Sequence, residues 1–86
     1  MTMDIKTHVR QMVTSLLQQR GDVSPFGDSD SLVMSGRLES IAVVDLAAFL
    51  EERFGVDFAR IGFDQEDFET VDRIVAVVVR ETQRAA

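Results

Sequence analysis

The hydroxyl of Ser40 is the side chain in this sequence with the clearest chemical possibilities. It ends a loop-like run and stands directly before an apolar pattern of helical spacing. A serine at such a place commonly caps a helix by accepting a hydrogen bond from a backbone N–H. The N-terminus of a helix also favours anions, so a hydroxyl held there is suited to carry a phosphodiester. The residues alone leave both roles open.

Other reactive side chains are sparse. His8, the single histidine, is expected on the surface of the first helix, and nothing indicates a serine–histidine–aspartate site with Ser40. The acidic runs at 28–30 and 64–67 lack the spacing of a calcium loop. The chain has no cysteine, which excludes disulfides and thiolate metal sites. We therefore expect neither an enzyme nor a metal site.

The formal net charge of −6 is concentrated in the middle of the chain. Residues 39–69 hold nine acidic residues against two arginines, a local charge of −7. Such a field repels phosphates and argues against a nucleic-acid partner, whereas a protein with a basic patch would be attracted. An acidic surface that only confers solubility is the alternative.

Length and composition favour one domain, spanning residues 1–86. A chain of this size with 45% hydrophobic residues can bury a modest core, with little room for an enclosed active site. Charged Asp4 and Lys6 precede any apolar stretch, and no apolar run is long enough to cross a membrane. We therefore expect a cytoplasmic monomer without a membrane segment.

The apolar spacing predicts an all-α fold, with three main helices and one short one. Capping residues and glycines bound the long helices. The β-branched run "IVAVVV" is assigned to a helix because a capping threonine precedes it and its apolar spacing is helical. The predicted segments are a first helix within 2–20, capped by Thr2 and stopped by Gly21, a second helix at Ser40–Phe54, a short turn near Asp64–Phe68 and a last helix at about 70–84, capped by Thr70.

A long loop at 21–39 separates the first two helices. It contains three glycines and the only proline. Phe26, Leu32 and Leu38 are expected to anchor it to the core. A loop of this length is unusual in a small domain and is often functional.

The second helix has more apolar residues than one buried face requires. A second apolar row lies on another side of the helix, bordered by acidic residues. An apolar row rimmed by acids is typical of a transient docking surface, whereas packing of that row beneath the long loop is the alternative. The core stripe is Val43, Leu46, Ala47, Leu50 and Phe54, and the second row is Ile41, Val44 and Ala48, beside Asp45, Glu51 and Glu52.

Gly36, Leu38 and the acid–serine pair Glu39 and Ser40 stand directly before the amphipathic second helix, and over nearly the whole chain the sequence resembles the acyl and peptidyl carrier proteins. The segment "GRLESIAVVDLAAFLEERFGV" is similar to their modification motif, in which a glycine, a hydrophobic residue and Asp-Ser-Leu precede an amphipathic helix. The resemblance continues in "FDQEDFETVDRIVAVV" and in the first helix. Glu39 stands where the family usually has aspartate, and Ile41 where it has leucine.

The resemblance implies a four-helix bundle with a 4′-phosphopantetheine arm on Ser40. A phosphopantetheinyl transferase would install the arm from coenzyme A, and its thiol would hold cargo as a thioester. An acyl- or amino-acid-activating ligase would load the cargo for a downstream transferase or synthase. Partner contacts are expected at Glu39, Ile41, Val44, Asp45, Ala48, Glu51 and Glu52.

The segment "FDQEDFETVDRI" resembles stand-alone aminoacyl and D-alanyl carriers more than housekeeping fatty acid carriers. The resemblance therefore favours a specialised carrier of an aminoacyl or short acyl group. A carrier for fatty acid or polyketide synthesis is one alternative. An unmodified acidic helical adaptor, which would use the same surface without an arm, is the other.

Overall fold

Helices make up the regular structure of residues 4–85, the part of the chain that the computed structural model describes. No strand occurs among these residues, so the predicted all-α fold is confirmed. Within the same range, no helix is both long and apolar enough to span a bilayer. The elements are α1 at Ile5–Gln19, α2 at Ser40–Phe54, α3 at Phe58–Ile61, a 3₁₀ turn at Gln65–Phe68 and α4 at Val71–Ala85.

Helix α1 is capped by Asp4. The Asp4 carboxylate accepts a hydrogen bond from the Thr7 N–H at 2.8 Å, and this bond lowers the pKa of Asp4. Thr2, the predicted cap, lies outside the described residues, and the prediction is wrong because Asp4 holds the capping position. The helix ends as predicted at Gly21, whose φ of 80° is the left-handed conformation that glycine adopts without strain.

One buried cluster joins the three long helices. The β-branched run of α4 is helical, as predicted, and its start is fixed by Thr70, whose hydroxyl accepts from the Arg73 N–H at 3.1 Å. Burial of this cluster removes apolar surface from water and supplies the main stabilisation of the fold. Its fully buried members within the long helices are Val9, Val13 and Leu17 of α1, Val43, Leu46 and Leu50 of α2, and Val71, Ile74 and Val78 of α4.

The long loop between α1 and α2 is anchored in the core and by ion pairs. Leu32 and Leu38 are buried as predicted, while Phe26 is half-buried under the Arg10 guanidinium, 4.4 Å from the ring centroid. Asp28 pairs with Arg10 at 2.6 Å and with Lys6 at 3.1 Å. The loop therefore has a fixed course that ends at the start of α2.

Helix α3 is an element that sequence reasoning missed, since only the turn near Asp64–Phe68 was predicted in this segment. Its ends are set locally. The Asp57 carboxylate accepts from the Arg60 N–H at 3.2 Å, and Gly62 follows with a φ of 87°. Phe58 is buried and packs against Phe68 with ring centroids 5.7 Å apart. This aromatic contact fixes α3 beside the 3₁₀ turn.

Candidate functional site

Ser40 is exposed and is the first residue of α2. Glu39, with extended backbone, occupies the N-cap position, so the alternative that Ser40 serves only as a helix cap is wrong. The carboxylate of Glu39 makes no capping hydrogen bond either. The first main-chain bond of the helix runs from the Val43 N–H to the Glu39 carbonyl at 3.0 Å. The N–H groups of the first turn therefore leave an uncapped, positive helix end around the Ser40 hydroxyl.

Two arginines hold the chain that leads into Ser40. Arg20 donates to the Arg37 carbonyl at 2.6 Å and to the Glu39 carboxylate at 2.7 Å. The Arg37 guanidinium binds Asp22 at 2.9 Å and the Ser24 carbonyl at 2.7 Å. The hydrogen bonds from Arg37 lower the pKa of Asp22. These contacts fix the position from which α2 starts.

The second apolar row of α2 lies open to solvent. Ile41 is 74% exposed, Val44 is 60% exposed, and Ala48 is also exposed. The alternative that Ile41 and Val44 pack beneath the long loop is therefore wrong. Asp45, Glu51 and Glu52 are exposed as well, next to the row. An apolar strip with an acidic border thus begins one residue after Ser40.

A groove of about 270 Å³ continues this strip toward α3. The two walls of the groove are α2 and α3. Glu51 of α2 connects them, because its carboxylate accepts a hydrogen bond from the N–H of Phe58 in α3 at 3.3 Å. Phe63, half-exposed, stacks on Phe68 with centroids 5.3 Å apart. Sequence reasoning did not assign Phe63 or α3 to the site. The residues that could have indicated α3 are Asp57, which caps it, and Gly62, which ends it. The lining residues are Val44, Ala47, Ala48, Glu51, Phe58 and Phe63.

His8 lies at the opposite end of α2 from Ser40. It is half-buried on α1, with its ring edge-on to Phe54 at 5.9 Å between centroids, whereas the sequence suggested a plain surface residue. Phe54 and Ser40 are the two ends of α2, about 20 Å apart along a 15-residue helix. His8 is therefore out of reach as a general base for the Ser40 hydroxyl. Among the residues that the structure describes, no group of three or more acidic or histidine side chains is placed to hold a metal ion.

A curated relative decides the family. The D-alanyl carrier protein of Streptococcus suis (strain 98HAH33) is 34% identical over 77 residues, which cover 90% of this chain and 94% of that protein. The chain belongs to the family of acyl and peptidyl carrier proteins. No family model matches the chain, and no solved structure matches it.

Membership of this family confirms the prediction made from the sequence, and it agrees with the helical architecture. Within the acyl carrier proteins, the relative favours a stand-alone aminoacyl carrier over the fatty acid, polyketide and adaptor alternatives. Carrier proteins are generally not catalytic, which agrees with the expectation of a non-enzyme. The expected partner residues of this carrier fall into two groups. One group lies exposed on the outer face of α2, namely Ile41, Val44, Asp45, Ala48 and Glu52, while Glu39 and Glu51 already bind groups of the same chain.

Proposed function

We propose that this protein is a stand-alone carrier that bears 4′-phosphopantetheine on Ser40 and presents an aminoacyl group to partner enzymes. The observation that carries the proposal is the exposure of Ser40 at an uncapped helix N-terminus, next to an exposed apolar row. A structural serine would need neither the exposure nor the neighbouring row.

The residues around Ser40 fit a phosphodiester. Its hydroxyl is exposed, and the unpaired N–H groups of the first turn of α2 favour a negative charge beside it. The arm supplies a thiol that holds the cargo as a thioester, and the chain itself has no cysteine. Arg20 and Arg37 hold the preceding segment, so the attachment point stays fixed while the arm moves. A tether of this kind raises the effective concentration of the cargo at a partner's active site.

The outer face of α2 is the proposed docking surface. Exposed Ile41 and Val44 would be desolvated by a partner, and the exposed acids would steer a basic rim toward the site. The partners are a phosphopantetheinyl transferase, an amino-acid-activating ligase and a downstream transferase. The docking residues of this proposal are Glu39, Ile41, Val44, Asp45, Ala48, Glu51 and Glu52.

The proposed cargo is a small aminoacyl group of the D-alanyl class. The name of the Streptococcus suis relative supports this choice. The groove beside Val44 is also small, about 270 Å³, and Phe58 and Phe63, which line it, pack against Phe68. We further propose that the protein acts as a monomer in the cytoplasm, where coenzyme A is available.

Modification of Ser40 is tested by intact mass spectrometry. The purified protein is incubated with coenzyme A and a broad-specificity phosphopantetheinyl transferase. We expect a gain equal to one phosphopantetheine group, located on the peptide that contains Ser40. The Ser40→Ala variant should stay folded and gain nothing. No gain with several transferases would contradict the proposal. An unmodified adaptor would instead keep its partner function in the Ser40→Ala variant.

A further inference from the structure

Among the residues whose side chains are described, Glu81 of α4 is the one buried charged residue, with 4% of its surface exposed. A buried carboxylate is costly unless cations or hydrogen-bond donors compensate it. Two arginines do so. Arg80, its neighbour on α4, contacts one carboxylate oxygen at 3.0 Å, and Arg60 of α3 contacts the other at 3.5 Å. Neither the core nor the modification of Ser40 requires this arrangement.

The contact with Arg60 crosses from α4 to α3. Helix α3 has only four residues, too few for a helix to be stable by itself. It depends on buried Phe58, on the Glu51 carboxylate from α2 and on the Glu81 carboxylate from α4. Carboxylates from two long helices, α2 and α4, therefore contact α3.

The position of α3 determines one wall of the groove beside the exposed row of α2. Phe58 begins α3, and Phe63 lies two residues past its end. Both line the groove together with Val44 and Ala48. A shift of α3 would therefore change the surface that a partner meets next to Ser40, without any change in the partner-facing residues themselves.

We infer that Glu81 is a positioning residue that acts through Arg60: it holds α3 in place and thereby keeps the groove between α2 and α3 in the shape that partner enzymes recognise. This inference rests on the proposed carrier function. Arg80 touches the same carboxylate but lies on α4, so it neutralises Glu81 without holding α3. The two arginines therefore provide a matched pair for a test.

The test compares Arg60→Gln with Arg80→Gln, together with Arg60→Lys and Glu81→Gln. Amide hydrogen exchange of residues 58–62 should rise roughly three- to tenfold in Arg60→Gln, the range expected for losing one charged contact, and stay unchanged in Arg80→Gln. In the phosphopantetheinyl transferase assay, the KM for the carrier should rise by a similar factor, with kcat unchanged. Arg60→Lys should restore most of the loss, and Glu81→Gln should resemble Arg60→Gln.

Equal behaviour of Arg60→Gln and Arg80→Gln would overturn the inference, since Glu81 would then only need neutralisation. Faster exchange of α3 without a change in KM would overturn it too, because groove shape would not matter to the partner. A wild-type protein that is never modified on Ser40 would count against the proposed function instead. The exchange comparison would still show whether Arg60 holds α3.

Discussion

The two faces of α2 carry similar side chains in opposite surroundings. On the inner face, Val43, Leu46 and Leu50 are fully buried between α1 and α4. On the outer face, Ile41 and Val44 leave most of their surface in water. The inner row stabilises the fold by burial, whereas the outer row, which stays mostly in water, contributes much less. Similar side chains therefore serve stability on one side and, in the proposed function, partner binding on the other.

Truncation of the inner row should produce the largest effect. Leu46→Ala or Leu50→Ala would leave a cavity in the core, with an expected loss of about 2–5 kcal/mol in the free energy of unfolding. Urea denaturation followed by circular dichroism measures this loss. A change below about 1 kcal/mol in either variant would show that the inner face is not the core described above.

Truncation of the outer row should leave stability intact and weaken docking. Val44→Ala removes exposed methyl groups, so the free energy of unfolding should change by less than about 0.5 kcal/mol. The KM for the carrier in the transferase reaction should rise roughly three- to tenfold, because a desolvated apolar contact is lost. The same KM for Val44→Ala and wild type would remove the distinction between the two faces.

The acidic border should produce a smaller effect that depends on salt. Reversal of Asp45 or Glu52 to lysine is expected to raise the transferase KM roughly two- to fivefold at low ionic strength and less at high salt. Glu51→Lys differs, because it also removes the acceptor for the Phe58 N–H. Unchanged kinetics of the Asp45 and Glu52 variants at low salt would show that these acids do not steer partners.

The pH dependence of stability should distinguish the carboxylates that stabilise the fold through ion pairs from those on the outer face of α2. Lys6 and Arg10 keep the pKa of Asp28 below its ordinary value of 3.8, as Arg37 does for Asp22. Such a carboxyl contributes stability that is complete above the ordinary value and is lost as the pH falls through the folded-state value.

The urea concentration at the midpoint of unfolding should therefore decrease as the pH is lowered below about 4, and it should decrease less steeply in Asp28→Asn. Asp45→Asn serves as the control and should follow the wild-type curve, because Asp45 lies on the outer face. The midpoint is measured from pH 6 downward for the three proteins. Identical curves for wild type and Asp28→Asn would show that the ion pairs of Asp28 do not stabilise the fold.

Sequence patterns were sufficient for the features that depend on local spacing. The three long helices, the glycine after α1 and the presence of a second apolar row on α2 follow from helical periodicity and capping residues. Features that depend on distant contacts were missed. The N-cap position of α2 falls on Glu39, which Arg20 binds from 19 residues away, and the residues alone could not decide between this arrangement and a capping Ser40.

The same reason explains why the neighbourhood of α3 was not predicted. Four residues give no periodic pattern, and α3 is held by Glu81, 21 residues from Arg60 along the chain. His8 looked like a surface residue because its contact with Phe54 joins two helices. The sequence resemblance predicted Ser40 as the attachment point, but the form of the groove beside it required the tertiary structure.

The most direct test is the intact mass of the protein isolated from its own cells, with the modified peptide identified by fragmentation. The account predicts one phosphopantetheine group on Ser40, with a fraction of the molecules carrying a small aminoacyl group on its thiol. Unmodified Ser40 in every molecule would contradict the carrier function. A long fatty acyl group on the arm would contradict the proposed cargo.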